Sequence, residues 1–501
     1  MASGSIAVEG GLLALPEPAA SGVRNFKGVP YAAAPVGDLR WRPPQPLEPW
    51  SGVRRSDVFG PNSIQGIVFS DIDPFAAGIS EDCLYLNVWT PALGASERLP
   101  VMVWIHGGGF AVGSGAEPRY DGANLAAKGI VVVTLNHRLN ALGFLAHPEL
   151  TAESPDAASG NYGMQDLVAA LQWVSRNIAA FGGDPSQVTI AGESAGSMAV
   201  SALMASPLAR GLFARTIGES GAMFPSPSRS YATLAESEQG GLAFARKLGA
   251  PSLAALRALP VEKILAAAPG IGFWPIVDGH FLPRPPAEIF AAGAQNDVPL
   301  LAGWNKDEGF NFNLLKGDKT DTPYAAQVRA LFGDRTDAAL ALYPAGAVEK
   351  ASARALGGDL MIIHGTWAWI EAQRKTGRSE IYRFRFDRAP LTPDGWFGPA
   401  SSGDAGAFHA GELLYVFDNL HAFPWLIAPE DREIARVTST YWVNFVRTGD
   451  PNGAGLPLWP SYRSEGAPFL AIDAPPEVRH EADRARQEFL ARAPDARGPG
   501  G

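Results

Sequence analysis

The residues best suited to covalent chemistry form the segment Gly-Glu-Ser-Ala-Gly at 192–196. An apolar run at 188–191 precedes it, and a helix-forming run at 198–204 follows it. A strand, a sharp turn with a serine at its tip and a helix are typical of a nucleophile elbow. The pentapeptide alone is a weak signal in a chain with 56 glycines, so this context carries the prediction that Ser194 is a nucleophile. Ser220 also follows an apolar run but lacks the glycine spacing, and we interpret it as structural support.

A glycine-rich segment upstream has the composition of an oxyanion hole. The apolar run 99–105 resembles a buried strand and leads directly into His-Gly-Gly-Gly-Phe at 106–110. Consecutive glycines expose backbone N–H groups, which stabilise the negative charge that an ester carbonyl oxygen gains when serine attacks it. We predict that the donors are the N–H groups of Gly108, Gly109 and Ala195. A flexible glycine turn is the alternative interpretation.

Four further segments are long and specific strings. They include Val-Arg-Asn-Phe-Lys-Gly-Val-Pro-Tyr-Ala at 23–32 and Ser-Glu-Asp-Cys-Leu-Tyr-Leu-Asn-Val at 80–88, together with 35–41 and 181–185. With these strings the chain resembles the type B carboxylesterases, a family that includes the bacterial para-nitrobenzyl esterases and is related to the cholinesterases. The resemblance covers nearly the whole chain. It implies an α/β-hydrolase fold and a serine carboxylesterase that works through an acyl-enzyme intermediate.

The resemblance also implies the partners of the nucleophile. The family carries the carboxylate of its triad in a Gly-x-Asn-x-Asp-Glu-Gly segment, which matches 303–309 and makes Glu308 the orienting residue. Its general base opens a His-x-Gly-Glu-x-x-x-x-Phe pattern, which matches 409–417 and makes His409 the base. The chain order serine, glutamate, histidine is that of an α/β-hydrolase. Asp307, one position before Glu308, stays open as a competitor.

Residues near these motifs are candidates for a substrate pocket. Glu193 matches a family position that faces the pocket, and a turn carboxylate in a buried hydrogen-bond network is an equally good interpretation. The segment 269–279 resembles the family's acyl-pocket loop, with small or aliphatic residues where cholinesterases place phenylalanines. We therefore expect small to medium, bulky or aromatic ester substrates. Core packing explains each aromatic candidate equally well. Besides Glu193, the predicted pocket residues are Phe110, Ile271, Phe273, Trp274 and Phe312.

Alternating strand and helix signals predict a large, mostly parallel sheet with helices on both faces. We also expect a small antiparallel region at the N-terminus and helical insertions over the active site. Helices are predicted over 165–174 and 432–447. No linker-like stretch divides the 501 residues, so we predict one domain over 1–501 with a frayed tail at about 494–501. The predicted strands lie near 83–89, 101–106, 130–136, 187–193, 214–218 and 298–303.

Charge and composition limit the partners. The net charge of −10 and the lack of a basic run argue against nucleic acid and anionic membranes, and no apolar stretch is long enough to span a bilayer. Cys83 is the only cysteine, which predicts a reducing, cytoplasmic compartment. Segment 63–83, which a disulfide closes in secreted relatives, is expected to be more mobile. No metal-binding or nucleotide motif is present, so we expect no cofactor or metal. The expected partners are small-molecule esters, and the expected state is a monomer or weak homo-oligomer.

Three other functions stay open on the sequence alone. This fold also serves as a non-catalytic interaction module when the nucleophile is lost, although all three predicted triad residues are present here. An amidase or a lipase would use the same triad. The acyl and alcohol groups of the substrate depend on loops whose placement the sequence does not give.

Overall fold

The computed structural model describes residues 4–67, 77–314, 323–397, 405–423, 427–481 and 483–492. The strands in these residues are β1 (Ser5–Val8), β2 (Gly11–Ala14), β3 (Arg24–Pro30), β4 (Val53–Arg54), β5 (Asn62–Ser63), β6 (Ile79–Ser80), β7 (Tyr85–Thr90), β8 (Leu99–Ile105), β9 (Val131–Leu135), β10 (Gly183–Glu193), β11 (Arg215–Glu219), β12 (Leu300–Asn305), β13 (Ile381–Phe386), β14 (Phe469–Ile472) and β15 (Glu477–Arg479). The α-helices are α1 (Ala123–Ala126), α2 (Asn140–Phe144), α3 (Pro148–Glu153), α4 (Tyr162–Asn177), α5 (Ala195–Ala205), α6 (Leu234–Lys247), α7 (Leu253–Arg257), α8 (Val261–Ala267), α9 (Pro286–Ala291), α10 (Tyr324–Phe332), α11 (Thr336–Leu342), α12 (Glu349–Gly358), α13 (His364–Thr376), α14 (Leu413–Val416), α15 (Pro429–Thr448) and α16 (Arg484–Ala491).

Ten of these strands form the central sheet, in the order β15-β14-β13-β12-β11-β10-β8-β9-β7-β3. The strands from β14 to β9 in this order pair in parallel, and the antiparallel pairs lie toward the two edges. Because parallel strands end at the same edge of a sheet, the loops after β8, β10, β11 and β12 meet there. This edge holds the glycine-rich loop 106–110, the serine turn 192–196 and the segment 303–309.

The central strands are buried on both faces, which explains their nearly continuous apolar sequences. In β8, Val101, Val103 and Ile105 belong to one apolar core, whereas Met102 and Trp104 belong to the other. Successive side chains of a strand point to opposite faces, so one short apolar run contributes to both cores. Helices α4 and α5 pack in the first core, and α14 and α15 pack in the second. The prediction of an α/β fold with a covered, mostly parallel sheet is confirmed.

Two helices are longer in the structure than the ranges that the sequence predicts. The signal at 165–174 corresponds to α4, and the signal at 432–447 corresponds to α15. Helix α15 ends where Gly449 adopts a left-handed conformation with φ of 80° and donates to the carbonyl of Phe445 at 2.8 Å. A glycine at this position suits such a helix end, because it carries no Cβ that the conformation would strain.

The N-terminal region is only partly antiparallel. Strands β1 and β2 pair antiparallel, whereas β4 joins β2 in parallel. Strands β5 and β6 form a separate parallel pair that brings residues 62–63 beside 79–80. Cys83 is buried and forms no disulfide. Residues 68–76 of the segment expected to be mobile, and the tail at 494–501, lie outside the described residues. Among the described helices, none is both long and apolar enough to cross a bilayer.

Candidate active site

The turn between β10 and α5 holds Ser194 in a strained backbone conformation. Its φ is 54° and its ψ is −120°, a combination that non-glycine residues rarely adopt. A Cβ at Gly192 would lie 2.6 Å from the carbonyl carbon of Gly196, and a Cβ at Gly196 would overlap the carbonyl of Ile105. The N–H of Ser194 donates to the carbonyl of Glu219 at 2.9 Å, which ties the turn to the end of β11. The two glycines are therefore required for the sharp turn that places serine at its tip.

Ser220 lies beside this turn, but it does not line the cavity that contains Ser194. Its φ is 55°, and its N–H donates to the carbonyl of Gly303 at 2.8 Å. A Cβ at the next residue, Gly221, would overlap the carbonyl of Ser194, so the two turns pack directly on each other. Ser220 is fully buried and belongs to the packing that supports the nucleophile turn.

The loop after β8 carries three glycines past Ser194. A Cβ at Gly107 would lie 3.1 Å from the Cβ of Ser194, so the loop runs directly beside the predicted nucleophile. Gly108 and Gly109 have φ values of 105° and 65°, which favour glycine. In the described part of the chain, the N–H groups of Gly108, Gly109 and Ala195 donate to no other protein group. Three unused amide donors therefore lie around Ser194.

His106 anchors the start of this loop and takes no part in the cavity lining. Its Nδ1 lies 2.8 Å from the carbonyl oxygen of Gly107, and its ring stacks on that of His137 with 5.0 Å between centroids. Burial and the neighbouring His137 lower the pKa of His106 to about 3, and burial lowers the pKa of His137 to about 4. Both rings are therefore neutral at physiological pH and act as packing groups.

Glu308 and His409 meet at the carboxyl edge of the sheet. Oε2 of Glu308 lies 2.7 Å from Nδ1 of His409. The Glu308 side chain is fully buried, and its Oε1 accepts a hydrogen bond from the N–H of Asn305 at 2.9 Å. Asp307 instead accepts a hydrogen bond from the N–H of Ala407 at 2.9 Å and lines a separate cavity. Of the two carboxylates that the sequence left open, Glu308 contacts the imidazole.

The other ring nitrogen of His409 faces Glu193. Nε2 lies 3.2 Å from Oε1 of Glu193, and no hydrogen bond joins His409 to the hydroxyl of Ser194, although both residues line the same cavity. Burial raises the pKa of Glu193 to about 8. Burial by itself lowers the pKa of His409, but the carboxylates of Glu193 and Glu308 outweigh it and raise that pKa to about 10. A charged Glu193 therefore favours the imidazolium form of His409.

Two more buried carboxyl groups lie close to Glu193. Oε1 of Glu219 accepts a hydrogen bond from the indole N–H of Trp442 at 2.7 Å, and Oε2 of Glu412 accepts one from the amide of Asn305 at 2.5 Å. Burial raises the pKa of Glu412 to about 7 and that of Glu219 well above its usual value, and the negative charges of neighbouring carboxylates act in the same direction. Burial and the neighbouring carboxylates therefore both disfavour negative charge on Glu219 and Glu412.

A cavity of about 340 Å³ opens over Ser194 and contains only some of the predicted pocket residues. Glu193, Trp274 and Phe312 line it. Its full lining consists of Gly107, Gly108, Gly109, Arg119, Tyr120, Glu193, Ser194, Ala195, Met198, Arg229, Trp274, Asn311, Phe312, Met361, Ile362, Phe397, His409 and Ala410.

Phe110, Ile271 and Phe273 lie outside this lining. Phe110 packs edge-on against Phe144, with ring centroids 5.3 Å apart, and against Trp274, with ring centroids 5.5 Å apart. Phe273 packs against Phe244 at 5.1 Å, and Ile271 packs against the adjacent core. Phe110 and Phe273 are buried and Ile271 is partly buried, and removing their apolar surface from water stabilises these positions. They shape the cavity indirectly.

Several residues that line the cavity were not predicted from the sequence. Met198 could have been found, because it lies one helical turn after Ser194. Met361 and Ile362 lie in a π-helical turn, Asp359–Ile363, between α12 and α13, and such turns are frequent at functional sites. Arg229 lies in an irregular segment that no motif marks.

The parallel sheet, with a strand–serine–helix turn at its carboxyl edge, defines the α/β-hydrolase class. Within that class the chain belongs to the carboxylesterase family, because the model of that family matches residues 7–490. The protein is therefore a carboxylic ester hydrolase.

Known relatives agree over almost the full length. The chain is 40% identical over 467 residues to the fumonisin B1 esterase of Sphingopyxis macrogoltabida, covering 89% of this chain and 82% of that protein. It is 35% identical to the para-nitrobenzyl esterase of Bacillus subtilis, covering 94% and 95%. Among solved structures, the carboxylesterase EST55 of Geobacillus stearothermophilus superposes with a TM-score of 0.83 at 35% identity, covering 97% of this chain and 99% of that one.

Proposed function

We propose that Ser194, His409 and Glu308 hydrolyse carboxylic esters through an acyl-enzyme intermediate. The observation that carries the proposal is the 2.7 Å contact between Glu308 and Nδ1 of His409, beside a cavity that His409 shares with Ser194. A serine hydroxyl is a weak nucleophile at neutral pH unless a base removes its proton as the new bond forms. His409 is that base, and Glu308 holds its ring and stabilises the imidazolium.

In the acylation step, Oγ of Ser194 bonds to the carbonyl carbon while its proton passes to Nε2 of His409. The carbonyl oxygen becomes an oxyanion, which accepts hydrogen bonds from the amides of Gly108, Gly109 and Ala195. Removing one such donor typically costs about 3 kcal/mol of transition-state stabilisation. The carbon–oxygen bond to the alcohol then breaks, and the imidazolium gives its proton to the departing oxygen.

Deacylation repeats these steps with water as the nucleophile. His409 takes a proton from water, the hydroxide oxygen bonds to the acyl carbon, and the proton returns to Oγ of Ser194 as the acid leaves. Because Glu193 contacts the same Nε2, its protonation controls how readily His409 accepts either proton. A neutral Glu193 leaves the ring more available as a base.

We infer that the substrates are small to medium esters, including bulky or aromatic ones. A cavity of about 340 Å³ supports this size, and the rings of Tyr120, Trp274, Phe312 and Phe397 support aromatic groups. A para-nitrobenzyl esterase among the relatives, named for an aromatic ester, is consistent with the inference.

We also propose that residues 1–501 form a single catalytic domain, because the strands of the central sheet range from β3, near residue 24, to β15, near residue 479. The single cysteine, Cys83, is buried and supports a cytoplasmic location. A monomer or weak homo-oligomer stays the prediction for the oligomeric state, which size-exclusion chromatography with light scattering measures.

A labelling experiment and an ester panel test the proposed function. A 4-nitrophenyl alkylphosphonate should release one equivalent of 4-nitrophenol, and mass spectrometry should locate the adduct on the peptide that contains Ser194. The panel compares 4-nitrophenyl esters of increasing acyl length with the matched anilides and with emulsified long-chain triglyceride. We expect soluble short to medium esters to be preferred. A folded protein that neither reacts with the phosphonate nor hydrolyses an ester would contradict the proposal.

Glu193→Gln should move the acid limb of the pH profile of kcat/KM to lower pH, by on the order of one unit. Imidazolium cannot accept the proton of serine, so activity falls as pH falls through the pKa of His409. The carboxylate of Glu193 raises that pKa, and glutamine has no charge with which to do so. The measurement is kcat/KM for 4-nitrophenyl butyrate from pH 5 to 11, with spontaneous hydrolysis of the ester subtracted and circular dichroism as the control for folding. A limb that moved to higher pH would show that Glu193 does not stabilise the imidazolium.

A further inference from the structure

Arg229 lines the cavity above Ser194 from a rigid hairpin. Ser226 and Arg229 exchange backbone hydrogen bonds, with N–H to carbonyl distances of 2.9 and 3.0 Å. The hydroxyl of Ser226 donates to the carbonyl of Leu360 at 2.8 Å, which fixes the hairpin to the π-helical turn Asp359–Ile363 that also lines the cavity. The half-buried Arg229 is therefore held at the cavity by its backbone.

The guanidinium of Arg229 lacks a carboxylate partner within the part of the chain that the structure describes. It lies 4.9 Å from the ring centre of Trp274, and its Nη1 donates to Sδ of Met198 at 3.5 Å. The hydroxyl of Tyr231 is a further polar neighbour. A thioether is a weak acceptor, and a guanidinium has five N–H donors, so most of its hydrogen-bonding capacity is unused by these groups.

Arg119, the other arginine of the cavity, differs in this respect. Its Nε lies 3.0 Å from Oε2 of Glu117, and both side chains are almost completely buried. The acid nearest the nucleophile, Glu193, contacts Nε2 of His409 at 3.2 Å and forms no ion pair with Arg229. Among the described residues of the cavity, Arg229 is therefore the arginine without a carboxylate partner. An anionic group of the substrate would form the missing ion pair.

The neighbours of Arg229 place it toward the acyl half of the substrate. His409 protonates the departing alcohol, so the alcohol lies on the side of His409 and of Phe312, whose ring centroid is 5.1 Å from the imidazole. Arg229 instead contacts Met198, one helical turn after Ser194, and Trp274, which packs on the oxyanion loop. These contacts separate the Arg229 end of the cavity from the leaving-group end.

We propose that Arg229 binds a free carboxylate on the acyl half of the substrate, so that the enzyme prefers monoesters of dicarboxylic acids. The inference rests on the proposed ester hydrolysis at Ser194. Planar guanidinium groups bind carboxylates through paired hydrogen bonds, which give both orientation and specificity. The aromatic face of Trp274 keeps the guanidinium plane in place, as stacking of arginine on aromatic rings does in other proteins.

The test compares charged and neutral esters of equal length. Monomethyl succinate, glutarate and adipate are paired with methyl butyrate, pentanoate and hexanoate, and acid release is followed by pH-stat titration. At the best chain length, kcat/KM should be at least about 10-fold higher for the charged ester, as expected of one charge-assisted pair. 4-Acetoxybutyrate, with its carboxylate on the alcohol half, is compared with butyl acetate and should show no such preference.

Arg229→Met keeps an unbranched apolar stem and removes the charge, and Arg229→Lys keeps the charge without the planar group. Arg229→Met should lower the charged-to-neutral ratio of kcat/KM by about 10- to 100-fold, mainly through KM, and Arg229→Lys should retain part of the preference. Arg210→Met, at an exposed position outside the cavity, is the matched control and should keep the wild-type ratio.

Three outcomes would overturn the inference while leaving the proposed hydrolysis intact. They are neutral esters hydrolysed as well as charged ones, a ratio unchanged in Arg229→Met, or a preference for 4-acetoxybutyrate over butyl acetate that exceeds the acyl-side preference. A wild-type protein that hydrolyses none of the esters and takes up no phosphonate would instead remove the proposed function, and the inference with it.

Discussion

Ser194→Ala should lower kcat for 4-nitrophenyl butyrate by on the order of 10⁴- to 10⁶-fold while the protein stays folded. Alanine offers no oxygen for the covalent bond to the acyl carbon, so the intermediate cannot form. The substitution removes one oxygen at a turn whose shape depends on its glycines and on the Ser194 N–H bond to Glu219, both of which alanine preserves. We therefore expect a loss of turnover without a comparable loss of stability.

Ser220→Ala is the matched control for this experiment. Ser220 has the same positive φ and is also buried near the turn, but it does not line the cavity. Its loss should be much smaller, at most about 100-fold, because it acts through packing alone. Stopped-flow turnover, phosphonate labelling and thermal unfolding would be measured on both variants. Residual activity of Ser194→Ala within tenfold of the wild type, or labelling of that variant, would discard Ser194 as the nucleophile.

The turn that carries Ser194 could be predicted from the sequence because its determinants are local. Strand, turn, glycines and helix all lie within a short stretch around 192–196, and each restricts the backbone on its own. Glu308 and His409 were reached through resemblance, since nothing local brings residues 101 positions apart into contact. The parallel sheet does so, because Glu308 follows β12, His409 follows β13, and these neighbouring parallel strands end at the same edge.

Residues whose roles depend on distant packing were harder to predict. Glu219 and Glu412 are buried near Glu193, and this arrangement depends on tertiary packing. Glu219 ends β11 and is held by Trp442 of α15, and Glu412 lies directly before α14. Arg229 depends on a hairpin fixed to Leu360, more than 130 positions away. Phe273 was predicted to line the pocket because it lies in a motif loop, but its ring packs against Phe244 in the core.

Glu308→Gln should lower kcat by on the order of 10³- to 10⁴-fold, whereas Asp307→Asn should lower it by no more than about tenfold. The bond of 2.7 Å from Glu308 to Nδ1 fixes the ring and favours its charged form. Glutamine loses the charge and allows the wrong tautomer, in which Nδ1 accepts and Nε2 carries a hydrogen, so Nε2 cannot take the serine proton. Asparagine at 307 still offers an oxygen to the N–H of Ala407.

The pH profile separates loss of orientation from general damage in these variants. Glu308 raises the pKa of His409, so its neutralisation should shift the acid limb of kcat/KM to lower pH, whereas Asp307→Asn should leave the limb in place. Thermal unfolding is the control for stability, because glutamine can still accept from the N–H of Asn305 as Glu308 does at 2.9 Å. A larger loss in Asp307→Asn than in Glu308→Gln, at equal stability, would transfer the role to Asp307. The contact geometry favours the opposite result, because only the Glu308 carboxylate reaches the imidazole.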